Sequence, residues 1–74
     1  MNLFNAPQFL RFNLTSKRTI FLNAFHITCI TEREIGKPDE GSIVCIPGQQ
    51  HTVYETNDEI VNKLISLGLY TENE

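Results

Sequence analysis

Four residues have the right chemistry for a metal: His26, Cys29, Cys45 and His51. Two Cys and two His form a common tetrahedral zinc set. Their spacing argues against that use. It places them on predicted strands rather than in tight knuckles, and strand positions three apart, such as His26 and Cys29, point to opposite faces. Cys45 lies in the apolar run Ile43–Ile46, where a reduced Cys serves as a small core residue. A Cys–His nucleophile would need a partly exposed, electropositive setting for its thiolate. Cys29 has only Arg33 near it in sequence, and the helix start further on carries Asp58 and Glu59, which disfavour a thiolate there. The expectation is rim histidines and packed thiols, with no metal, no cofactor and no catalytic residues.

Glu55, Asp58 and Glu59 could in principle do paired acid–base work. A helix cap accounts for Glu59 fully and for Asp58 adequately. The remaining cluster is basic and aromatic. Arg11 lies between Phe9 and Phe12, Lys17 and Arg18 follow at a turn, and Phe21 alternates onto the same outer face. Basic residues interleaved with aromatics suit a nucleic-acid strand. Exposed aromatics of this kind also suit another protein chain. Phe9, Arg11, Lys17, Arg18 and Phe21 are therefore the candidate partner-binding residues, with a protein partner preferred over nucleic acid.

The stretch His51–Leu67 organises the elements that carry these residues. It reads as a strand ending at Thr56 that turns at once into a helix over Thr56–Leu67. Thr56 and Glu59 have capping-box spacing, and Asp58 and Glu59 favour the positive end of the helix dipole. Ile60, Val61, Leu64 and Ile65 make an apolar stripe, and Gly68 offers a stop. Upstream, strands are predicted at Phe9–Leu14, Thr19–Asn23, Ile27–Arg33 and Ser42–Ile46. A three-residue loop between the first two pairs Leu14 with Ile20 and Phe12 with Leu22, bringing the large aliphatics together. Asn23–His26 is a direction-changing turn, and Ile27 and Ile30 fit one face only through a bulge or a different neighbour. Glu34–Gly41 is a polar loop. A Pro47–Gln50 loop, with Pro47–Gly48 central in a type II turn, pairs Val44 with Val53 and Ile46 with His51.

The 74-residue chain is read as one small domain, with 1–8 a lead-in and 71–74 a frayed end. Its hydrophobic fraction of 41% predicts a thin core, which favours homo-oligomerisation and disfavours a deep pocket. The net charge of −3 speaks against broad binding to nucleic acid or an anionic membrane. The charge is uneven: +3 over residues 1–33 and −6 over 34–74. That pattern fits solvated surfaces, or head-to-tail association of unlike faces. Two cysteines, and no secretory signal or bilayer-spanning run in the sequence, predict reduced thiols and a cytoplasmic setting.

One further pattern spans Leu14-Thr15, Ile20–Asn23, Ile27 and Ile30, Ile43–Ile46, then Val53, Glu55, Thr56, Asp58, Glu59 and Ile60. In this order the features resemble the FlbD-type small proteins of flagellar and swarming motility, and similar short phage and bacterial proteins. The resemblance covers about two thirds of the chain, through short and mostly structural motifs. Ser16-Lys17-Arg18 stands where the family has an Asn-Gly turn, Pro47-Gly48 replaces a plainer glycine turn, and the first eight residues are additional. The resemblance implies a compact sheet with a C-terminal helix and a non-catalytic role, and it transfers no active-site residue.

The expectation is thus an α+β domain, a curled antiparallel sheet of four to five strands with one C-terminal helix packed on one face. Its predicted role is a small non-catalytic protein–protein interaction module, a regulator or assembly adaptor that self-associates and binds another protein. The alternative is a nucleic-acid-binding module built on the basic–aromatic patch.

Overall fold

The computed structural model describes residues 8–69. The expected lead-in, apart from Gln8, and the frayed 71–74 segment lie outside that range. Among the described residues five strands and one α-helix follow in order: β1 (Phe9–Asn13), β2 (Thr19–Asn23), β3 (Cys29–Glu32), β4 (Ser42–Ile46), β5 (Gln49–Val53) and α1 (Asn57–Ser66).

The strands form two antiparallel sheets, β1–β2 and β3–β4–β5, where a single curled sheet was expected. The reason lies where β1 and β5 meet. After Leu14 the chain turns away, and after Val53 it leaves for the helix. The two strands therefore share one isolated bridge, Leu14–Val53. It is flanked by Thr15 N–H donating to the Thr52 carbonyl (3.0 Å) and Tyr54 N–H donating to the Asn13 carbonyl (2.8 Å).

Both hairpins keep the expected side-chain faces but shift register by two. In the first, Leu10 pairs with Leu22 and Phe12 with Ile20, rather than Phe12 with Leu22 and Leu14 with Ile20. The loop does have three residues, Thr15 to Lys17, closed by Leu14 N–H on the Arg18 carbonyl (2.8 Å). Lys17 takes the left-handed conformation (φ 71°), which three-residue hairpin loops place at their last position. In the second hairpin the loop is Pro47-Gly48 alone. Val44 pairs with His51 and Ile46 with Gln49. Gly48 at φ 77° supplies the positive φ that follows Pro in a type II turn.

The third strand is shorter than expected. Residues Ala24–His26 form a 3-10 turn capped by Asn23, whose side chain accepts the Phe25 N–H at 3.0 Å. Ile27 closes that turn, so it reaches the core from outside the strand while Ile30 reaches it from within. No bulge is needed to reconcile their spacing.

The helix forms as its caps dictate. The Thr56 hydroxyl accepts the Glu59 N–H (3.2 Å) and the Glu59 carboxylate accepts the Thr56 N–H (3.4 Å), which completes the capping box. At the other end Gly68 (φ 74°) donates to the Ile65 carbonyl and Leu69 to that of Leu64, each at 2.9 Å. This 5→2 and 6→1 pattern is a Schellman stop. Ile60 and Leu64 are buried and Val61 is half-buried, while Ile65 turns out to solvent and leaves the expected stripe. The helix residues join Leu10, Phe12, Leu22, Ala24, Val44 and Val53 in one core fed by both sheets. Lys63 lays its ammonium 5.9 Å from the centroid of the Phe12 ring, within cation–π range.

Candidate functional site

Alternation along β1 and β2 creates one inward and one outward face. Leu10, Phe12 and Leu22 turn in. Phe9, Arg11 and Phe21 turn out, with Arg11 directly opposite Phe21 and Phe9 on the adjacent diagonal. Phe9 is 60% exposed and Phe21 61%. Two large aromatics flanking a guanidinium therefore stand on an open ribbon face.

The other two candidates do not join this group. Lys17 occupies the loop at the far end of the ribbon. Arg18 falls one step before Thr19, on the alternation of Ile20 rather than Phe21. Phe25, in the 3-10 turn that leaves β2, is 53% exposed and was missed by the sequence reading. Its only sequence signal is the Asn23 cap two residues earlier. Strand alternation stops at Asn23 and cannot assign a face beyond it.

The four metal-ligand candidates scatter. His26 is exposed at the end of the 3-10 turn. His51 lies opposite inward-facing Val44, with its Nε2 3.2 Å from Gln49 Oε1, whereas Cys45 lies opposite Gln50 on the other face of the sheet. Among the described residues no three or more His, Cys, Asp or Glu side chains converge on a metal position. The two thiols, however, do meet. Cys29 stands directly opposite Cys45 across β3 and β4.

The carboxylates divide as structural groups. Glu59 is in the cap, and Asp58 is exposed in the first helical turn. Glu55 is buried, and its carboxylate accepts hydrogen bonds from Asn13. A cleft of about 290 Å³ between the start of β3 and α1 is lined by Ile27, Thr28, Cys29, Ile30, Val61 and Leu64. It sits at the bottom of the size range of small-molecule pockets.

No family model, no curated protein and no solved structure matches the chain. No helix among the described residues is long and apolar enough to cross a membrane.

Proposed function

We propose that the chain is a small non-catalytic protein–protein interaction module of the cytoplasm, a regulator or assembly adaptor. It docks, and self-associates, through the outer face of the β1–β2 ribbon. The observation that carries this reading is the exposed Phe9–Arg11–Phe21 face. Aromatic residues and Arg are the side chains most enriched as interface anchors, and burying them removes apolar surface that a lone small domain leaves in water. The FlbD-type resemblance supports the same non-catalytic role. Sedimentation velocity at micromolar concentration tests self-association. The native protein is expected to sediment as an oligomer and a Phe9→Ser/Phe21→Ser variant as a monomer. A clean monomer for the native chain removes the self-association.

A second reading, nucleic-acid binding, draws on the same Arg11 between two aromatics. It requires affinity for a single-stranded oligonucleotide that falls steeply with salt and is lost in an Arg11→Ala/Lys17→Ala/Arg18→Ala variant. The separation of Lys17 and Arg18 from Arg11, together with the net charge of −3, favours the protein partner.

A further inference from the structure

Cys29 and Cys45 are far apart in sequence but are register partners in the fold. Directly opposed residues of an antiparallel pair have Cα atoms about 4.5–5.5 Å apart. That lies inside the roughly 4.4–6.8 Å that a disulfide spans. Both side chains project on the face of the sheet opposite Val44. Cys29 is exposed and Cys45 half-buried, and both are free thiols. Cys29 also belongs to β3, an edge strand of its sheet.

We propose that Cys29 and Cys45 form a reversible cross-strand disulfide, with a low-molecular-weight disulfide as oxidant and Cys29 as the entry thiol. The Cys29 thiolate attacks one sulfur of the oxidant. This breaks the oxidant's S–S bond, forms a mixed disulfide at Cys29 and expels one small thiolate. The Cys45 thiol loses its proton and attacks the Cys29 sulfur, which forms the protein S–S bond and expels the second small thiolate. Two protein thiols are oxidised, the small disulfide is reduced to two thiols, and the two protein protons end on those products. Cys29 is exposed on an edge strand while Cys45 is half-buried on the central one, which suits Cys29 to attack first and Cys45 to resolve. The product ties edge strand β3 to β4 and closes the intervening loop. This modification is independent of the docking face.

The test is equilibration of the native protein with mixtures of reduced and oxidised glutathione, read by intact mass and non-reducing peptide mapping. The expected product has lost two hydrogens, links the Cys29 and Cys45 peptides and retains no glutathione. A Cys45→Ser variant is expected to stop at a glutathione adduct on Cys29. The native fold should also hold the disulfide at a lower proportion of oxidised glutathione than the same chain in urea, because the register pre-positions the sulfurs. The proposal is overturned if native protein stays reduced in excess oxidant, stops at the adduct, or links between chains. Equal oxidation in urea and in buffer overturns it as well.

Discussion

Glu55 closes the open edge of β1 through Asn13. Its two carboxylate oxygens accept the Asn13 N–H at 3.0 and 3.1 Å, and one of them also accepts the Asn13 Nδ2 at 2.9 Å. Glu55 is only 6% exposed, so these bonds replace the water that a carboxylate would otherwise hold. They sit beside the single Leu14–Val53 bridge and strengthen the one seam between the sheets. Glu55→Ala leaves the Asn13 donors short of an acceptor, and hydrogen bonds to a charged group are worth about 1.5–3 kcal/mol. Urea unfolding is expected to show a loss of about 2 kcal/mol, and a variant as stable as the native chain would contradict this role.

Gly41 and Gly36 lie in the same loop yet differ in what a methyl group would meet. At Gly41 (φ 110°) a Cβ would collide with the Val53 backbone carbonyl and approach Tyr54 Cα to 3.3 Å. At Gly36 (φ 82°) it would meet nothing within 4 Å. Gly36→Ala then carries only the left-handed backbone cost, about 1–2 kcal/mol. Gly41→Ala adds a backbone clash and is expected to lower the thermal midpoint clearly more. Equal midpoints would show that the loop yields freely at Gly41.

Thr56→Ala deletes the acceptor for the Glu59 N–H and should cost about 1 kcal/mol in urea unfolding. Thr56→Ser keeps the oxygen and should recover most of that loss.

The Cys45 thiol is held above its ordinary range, first by the hydrogen bond with Cys29, then by partial burial, then by repulsion from Cys29. The folded state therefore keeps this proton longer than the unfolded chain does. The associated stability is present at neutral pH and is lost as pH climbs from the ordinary thiol range through the folded value. Under reducing conditions, urea midpoints of the native protein should fall more steeply on the alkaline side than those of Cys45→Ser. Parallel profiles would contradict the coupling.

Alternation made the faces of β1 and β2 legible in the sequence, whereas the apolar run of β4 did not show that Cys45 faces away from the core. Thr19–Asn23 and Ser42–Ile46 form with the expected bounds, and the Thr56–Glu59 cap forms as its spacing requires. Register was not legible, for a physical reason. A slip of two residues keeps every side chain on its face, so the hydrophobic pattern cannot detect it. Loop geometry decides instead, through the positive φ of Lys17 in one hairpin and the short Pro47-Gly48 loop in the other. The split into two sheets depends on how far β1 runs beside β5, which no local pattern encodes. Phe9, Arg11 and Phe21 could be grouped because they share one hairpin. Cys29 and Cys45 could not, because their opposition depends on the exact pairing of β3 with β4 across a long loop.

In the proposed function the outer face of the first hairpin, with Phe9, Arg11 and Phe21, is the contact surface. Amide chemical shifts of the isotopically labelled protein, followed from dilute to concentrated solution, test it directly. The account predicts concentration-dependent shifts centred on Phe9, Arg11, Phe21 and Phe25, with the exposed side of Asn57–Ser66 unchanged. Shifts that stay flat at every concentration, or that move on the helix while the hairpin stays still, would contradict it.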